Sequence, residues 1–396
     1  KAGLFYSRRV GGEPDGYNEV YDELREGEEI LENPEETNLI NATKISGRNN
    51  KGLGLGFFNA ENSRTHAIVK DSAGNKRKIL TQPFTNYNMM VVDKNFGQNS
   101  YLNLINTNYF QPSNGRMENV TGTAYKISDK TNYYALWGDA AFSMHRDSAS
   151  GEFVTGQRVD ARIGKVSGNF KVDYNLELLT DTYDHNAMGY LRKNNEITHE
   201  LEFDYGVYEP KGYILNWNGS VGFNYSSLYQ PRNFTDFYID ANSRITLKNY
   251  LFIGSGLQYR PVEMHDYFEP RVKGRVFDRP ESFYFDTWIS SDYRKPLAID
   301  IRGGYYSEFG EGYFYSIGPR IRIGNKLMII YRFAYEKYLD QKGFVTIFPE
   351  ENNNIIFGRR DNITYTNSLN SSFIFNNKSW ISLDVRHYWS QIDYDK

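Results

Sequence analysis

Apolar and polar side chains alternate, residue by residue, over most of this sequence. In residues 213 to 225, Tyr213, Leu215, Trp217, Val221, Phe223 and Tyr225 share one parity, with Gly219 among them. Asn216, Asn218, Ser220, Gly222 and Asn224 share the other. An extended chain sends successive side chains to opposite sides, so such a segment is a strand with one apolar and one polar face. Phe170, Val172, Tyr174, Leu176 and Leu178 alternate in the same way with Lys171, Asp173, Asn175 and Glu177. Ile197, Leu201, Phe203, Tyr205 and Val207 oppose Thr198, Glu200, Glu202 and Asp204. Tyr313, Tyr315, Ile317, Ile321 and Ile323 oppose Ser316, Gly318, Arg320 and Arg322, and Ile381, Leu383, Val385 and Trp389 oppose Ser382, Asp384, Arg386 and Ser390. Each run covers about nine residues or more, enough for a tilted strand to cross a bilayer. Runs of this kind predict roughly 18 to 22 strands.

Composition narrows the reading. Only 39% of the 396 residues are hydrophobic, yet there are 33 Tyr and 26 Phe, and mean hydropathy is −0.65. So polar a chain should have a modest core, but it carries more large rings than a soluble surface comfortably exposes. A transmembrane barrel resolves the conflict, because its lumen is polar while rings line its lipid face and interfacial girdles. The expected fold is therefore all-β, a large antiparallel transmembrane β-barrel over residues 39–396. A propeller would repeat every 40 to 50 residues or so, and no such repeat is evident. A soluble sandwich also alternates, but strand length and ring content favour the barrel. With 46 basic against 49 acidic residues, the net charge of −3 argues against nucleic-acid binding. There is no cysteine, which excludes disulfides and thiolate metal sites. The chain begins at Lys1 and ends Tyr394-Asp395-Lys396, not on an aromatic residue. It reads as a mature or partial chain that lacks one or more final strands.

Short turns are expected at Ser72-Ala73-Gly74-Asn75, Ser148-Ala149-Ser150-Gly151, Gly324-Asn325 and Asn376-Asn377-Lys378. Longer links are expected at 181–195, 261–281 and 340–361. Residues 1–38 read as an N-terminal strand followed by an acidic loop or lumen insert, with a short helix around Tyr17 to Leu24. In this stretch Glu13, Asp15, Glu19, Asp22, Glu23, Glu26, Glu28, Glu29, Glu32, Glu35 and Glu36 are met by Arg25 alone between 11 and 38. Opposite charge predicts that it docks against a wall carrying Arg302, Arg320, Arg322 and Arg332.

Several stretches resemble a Bacteroidota outer-membrane barrel family of unknown function. They are Leu4-Phe5-Tyr6-Ser7-Arg8-Arg9-Val10-Gly11, Ala42-Thr43-Lys44-Ile45-Ser46-Gly47-Arg48 and Gly52-Leu53-Gly54-Leu55-Gly56-Phe57-Phe58-Asn59-Ala60. Further on come Pro83-Phe84-Thr85-Asn86-Tyr87-Asn88, Leu104-Ile105-Asn106-Thr107-Asn108, Ile356-Phe357-Gly358-Arg359-Arg360-Asp361 and Arg386-His387-Tyr388-Trp389-Ser390. The resemblance implies an outer-membrane barrel, often preceded in the family by a carbohydrate-binding-like sandwich that this sequence lacks. It brings no catalytic residues.

No enzyme chemistry stands out, and no catalytic residue, metal site or cofactor is expected. Gly52, Gly54 and Gly56 alternate with Leu53, Leu55 and Phe57, so they read as a strand whose glycine face admits close packing and not as a nucleotide loop. The six histidines show no zinc spacing, and there is no nucleophile elbow. The polar faces are more informative. Asp173, Glu177, Glu200, Glu202 and Asp204 lie on early strands, and Arg302, Arg320, Arg322 and Arg332 on late ones. As lumen-facing charges they either set up a transverse field that selects solutes or pair and seal the interior. Asp71-Ser72-Ala73 and Asp147-Ser148-Ala149 resemble the O-glycosylation signal of Bacteroidota, which makes Ser72 and Ser148 candidate modification sites.

The expected function is an integral protein of the bacterial outer membrane. It would serve in porin-like passage or anchor a surface glycan-handling protein. Its partners would be outer-membrane lipid, lipopolysaccharide and other surface proteins. A plugged subunit of a larger surface or secretion complex is the second reading, and a soluble all-β binding protein the third.

Overall fold

Alternating β-branched and aromatic residues favour extended backbone, and extended backbone is stable only where neighbouring strands satisfy its N–H and C=O groups. The computed structural model describes residues 3–146, 150–308, 310–348 and 353–394, and these are all-β. In chain order the strands are β1 (Glu29–Glu32), β2 (Leu39–Arg48), β3 (Leu53–Asn62), β4 (Thr65–Lys70), β5 (Lys76–Gln82), β6 (Thr85–Phe96), β7 (Ser100–Gln111) and β8 (Arg116–Ser128). They continue with β9 (Tyr134–Arg146), β10 (Phe153–Lys165), β11 (Phe170–Leu179), β12 (Glu196–Val207), β13 (Ile214–Ser227), β14 (Phe234–Leu247), β15 (Phe252–Arg260) and β16 (Met264–Asp266). The last are β17 (Phe277–Arg279), β18 (Ser282–Ser290), β19 (Leu297–Ser307), β20 (Glu311–Ile323), β21 (Leu327–Phe348), β22 (Asn354–Asn376) and β23 (Ser379–Tyr394). Single 3₁₀ turns occur at Ser7–Arg9 and Glu19–Tyr21, so the helix expected around Tyr17 to Leu24 is one short turn.

The chain divides into two units. The first comprises Lys1–Val166, Asn175–Thr198 and Leu228–Arg232, and the second Ser167–Tyr174, His199–Ser227 and Asn233–Lys396. In the first, β2, β3, β6, β7, β8, β9 and β10 form an antiparallel meander in that order. In the second, β13, β14, β15, β18, β19, β20, β21, β22 and β23 do the same. β11 and β12 are strands whose residues are shared between the units.

Two expected features are corrected. The turn at Ser72 to Asn75 belongs to a separate sheet of order β1–β4–β5, inserted between β3 and β6. Its strands are too short and too charged to continue the meander. The expected loop at 340–361 is largely strand, because β21 and β22 run for 22 and 23 residues. Their pairing extends from Leu327↔Phe373 to Phe348↔Asn354 across two register shifts, and Asp340 absorbs the first with φ +57°.

Burial follows parity with inverted polarity. On β13, Val221, Phe223 and Tyr225 are exposed while Gly222, Asn224 and Ser226 are buried. Leu201, Phe203 and Tyr205 on β12 are exposed, as are Tyr313, Tyr315, Ile317 and Ile321 on β20. Among the described residues, the clusters of buried hydrophobic side chains lie in the first unit. There Leu4 packs with Val120, Ala141, Leu179 and Tyr183. Val20 packs with Ala67, Val69 and Ile79, and Met188 with Ala60, Tyr87 and Tyr109. The N-terminal segment and the 181–195 link thus cover the same face of the β3–β9 meander.

Candidate functional site

Several charged groups on the polar faces are paired across neighbouring strands. Arg158 on β10 bonds Asp139 on β9 at 2.7 Å and Glu177 on β11 at 3.2 Å. On β15, Arg260 meets Asp236 of β14 at 3.2 Å. Arg302 on β19 reaches Asp286 of β18 at 2.8 Å; the arginine side chain is 52% exposed and the carboxylate 5%. Glu177 and Arg302, two of the charges expected to build a transverse field, are therefore neutralised locally, since a buried carboxylate is stable only beside its cation.

The acidic N-terminal segment finds its cations nearby. Glu28 forms a two-point pair with Arg77, Glu29 pairs with Lys70 at 2.7 Å, and Asp15 meets Arg116 at 3.0 Å. All three pairs lie within the first unit. Asp15 also accepts hydrogen bonds from the Tyr109 hydroxyl at 2.7 Å and from Gln111 Nε2 at 3.2 Å. The Arg116 guanidinium lies 5.0 Å from the Tyr109 ring centre. These groups border a polar cavity of about 410 Å³, together with Arg8, Glu13 and Asn62. In the adjoining link, burial holds the His185 imidazole below its ordinary value, with Nδ1 2.8 Å from the Tyr183 hydroxyl.

Asp173, Glu202 and Asp204 bring carboxylate oxygens within 4.8 Å of one another, half-buried. Asp173, Glu200 and Glu202 each also take part in other polar or electrostatic contacts.

Three of the four singled-out arginines converge. Arg302, Arg320 and Arg332 line a cavity of about 450 Å³ with Trp288, Asp300 and Ser316. Arg322 stands apart, exposed near the end of β20. Beside this cavity, and sharing Arg302 with it, lies a second of about 610 Å³ lined by Tyr284, Tyr306, Phe314 and Tyr338. These rings sit on the polar face, where the parity reading places no aromatics. The signal was present in Phe283-Tyr284-Phe285, Tyr305-Tyr306 and Tyr313-Phe314-Tyr315. Consecutive aromatics in a strand must put one ring on the polar side.

Ser72 is exposed in a tight turn. The Asp71 carboxylate there accepts the backbone N–H groups of Ala73 at 2.9 Å and Asn75 at 2.8 Å, and Gly74 supplies φ +88°. Ser148 lies outside the described residues.

The family model described as Domain of unknown function (DUF5916) matches residues 1–396. The chain belongs to this family. No curated protein matches the sequence. The DUF5916 description names no activity, so the chemistry of this DUF5916 chain is read from its faces and cavities. Among the described residues no helix is long and apolar enough to cross a membrane, which says nothing of crossing by strands.

Proposed function

We propose that this chain is an integral β-barrel of the outer membrane of a Gram-negative bacterium, in which the polar strand faces line a lumen for solute passage. The observation that carries the reading is the inverted polarity of the long strands. Val221 is 40% exposed while Asn224, on the opposite face of the same strand, is 5% exposed. Water would select the reverse arrangement, because contiguous exposed apolar surface on this scale is unfavourable in a soluble protein. Lipid favours exposed apolar side chains, polar side chains on the opposite face, and backbone groups paired between strands; the first two are seen on β13. The long strands, at roughly ten residues or more, suit a tilted crossing of a bilayer core about 30 Å thick.

A second reading, a plugged barrel serving as a structural subunit, is favoured by one observation. The N-terminal segment and the 181–195 link fill space on the polar side of β7–β9, where Leu4 packs on Val120 and Ala141.

The test is direct. Protein purified in detergent should migrate faster on gels before boiling than after it, and should insert into planar bilayers. Stable ion conductance identifies passage, and silent insertion identifies the plugged subunit. Migration unaffected by heating, together with solubility without detergent, would overturn both.

A further inference from the structure

We infer that the polar face of β18–β21 holds a binding track for an acidic oligosaccharide, with one tier of aromatic rings and one tier of arginines. The inference rests on the proposed reading that this face is open to solutes.

The ring tier comes from four strands. Tyr306 and Tyr338 have centroids 4.4 Å apart at 36°, Tyr306 and Phe314 6.3 Å at 23°, and Tyr284 and Phe314 6.4 Å at 20°. Their planes lie 20° to 36° apart, and at 4.4 Å Tyr306 and Tyr338 overlap, so the rings form a stepped, overlapping shelf. Two glycines make this possible. A Cβ at Gly304 would stand 2.5 Å from the Phe314 ring, and one at Gly312 would stand 1.8 Å from the Tyr306 ring. Each ring therefore lies flat over the neighbouring strand. The ring faces that this stepped shelf turns to the cavity complement the C–H-bearing face of a pyranose, which is apolar in the middle and hydroxylated at its rim. Tyrosine hydroxyls and Arg260, Gln258 and Gln341 beside the rings supply donors and acceptors for such a rim.

The arginine tier decides the charge. Arg302 lies on β19 four residues from Tyr306 and on the same face, hence about 13 Å along the strand. That distance suits a chain of a few sugar units. Arg320 and Arg332 line the same cavity as Arg302. Asp286 neutralises Arg302, but neither Arg320 nor Arg332 has a carboxylate partner among the described residues. The Arg320 guanidinium lies 4.4 Å from the Tyr293 ring centre, and its Nε is buried without a hydrogen-bond partner. A planar guanidinium with free donors matches a carboxylate or sulfate. The carboxylates that line the two cavities, Asp300, Glu308 and Glu336, are outnumbered by Arg260, Arg279, Arg302, Arg320, Arg332 and Lys342, so rings and an excess of cations fit a sugar chain bearing acidic groups better than a neutral sugar or a simple anion.

The experiment is calorimetric titration of the full chain in detergent micelles with hexagalacturonate, with a sulfated hexasaccharide, and with neutral maltohexaose. Saturable binding is expected for one or both acidic probes, at least tenfold tighter than for maltohexaose and weakening as salt rises. Which acidic probe binds distinguishes carboxylate from sulfate. Arg332→Gln, a change at an exposed side chain, should remove most of the preference for acidic probes. Tyr338→Leu should weaken all three by roughly tenfold. Thermal unfolding of each variant, matched to the unaltered chain, assigns these losses to the site and not to misfolding. Equal affinity for neutral and acidic probes, no saturable binding, or binding unaltered by both substitutions would overturn the inference. Gel mobility and bilayer insertion are measured separately, so a membrane-inserted protein that ignores sugars removes the track and leaves the proposed function standing. Sugar binding by a protein that does not insert does the opposite.

Discussion

Leu4 occupies the space that any side chain at position 122 would need: a Cβ on Gly122 would stand 2.5 Å from Leu4 Cδ1. Leu4 is 1% exposed and belongs to the cluster with Val120 and Tyr183. Gly122→Val should therefore expel the N-terminal segment from β8, at a cost of about 1–3 kcal/mol for overpacking. Limited proteolysis should then cut within residues 3–12 many times faster than in the unaltered chain. An unchanged cleavage rate would show that Leu4 does not hold the segment.

Val221 and Ser220 are adjacent on β13 and face opposite sides. If the apolar side meets lipid, Val221→Arg should cost about 2–4 kcal/mol near mid-membrane, while Ser220→Arg should be tolerated. Yields of folded, heat-modifiable protein after refolding into lipid vesicles check this, and equal yields would refute the assignment of faces.

Glu28 and Arg77 give the small sheet an acid-sensitive clasp. Binding by Arg77 and by the backbone N–H of Arg25 lowers the Glu28 carboxyl from an ordinary value near 4.5 to about 2. The unfolded segment takes up its proton first. The clasp is therefore fully effective above the ordinary value and is lost as pH falls through the window toward about 2. Protection from hydrogen exchange at Val69 and Ile79, in the cluster that includes Val20, taken relative to the intrinsic rate at each pH, should fall within that window. Arg77→Gln should remove the dependence.

Ser72 is predicted to carry a glycan in the native host, given its exposed turn and the Asp71-Ser72-Ala73 sequence. Peptide mass spectra covering residues 65 to 82 decide it. Recovery of the unmodified peptide alone would end the idea.

Parity was readable from residues alone, because a strand that separates oil-like from water-like surroundings writes its two faces into odd and even positions. Phe203 and Tyr205 alternate with Glu202 and Asp204, and the exposure of the two rings follows that parity. Three things were not readable. Insertion of β4 and β5 as a separate sheet depends on Val20 reaching Val69 and Ile79 across long sequence separations. The pairing of Asp15 with Arg116 and of Glu28 with Arg77 was not readable, because charge complementarity names a sign and not a partner. The shelf of Tyr306, Phe314 and Tyr338 went unread because aromatic residues were assigned to the apolar face as a class, while parity puts each of these three on the other.

Among the described residues, each meander follows chain order except where a small sheet is inserted: β4–β5 between β3 and β6 in the first unit, and β16–β17 between β15 and β18 in the second. Such a lattice is modular in units of two. Deleting or duplicating one hairpin leaves both flanking strands antiparallel and their apolar faces on the same side, whereas losing a single strand would reverse the direction of everything after it. Descendants of such a sheet can therefore change in girth by whole hairpins while each remaining pair keeps its register. The ring and arginine tiers, which occupy four consecutive strands, would travel through such changes as one heritable block.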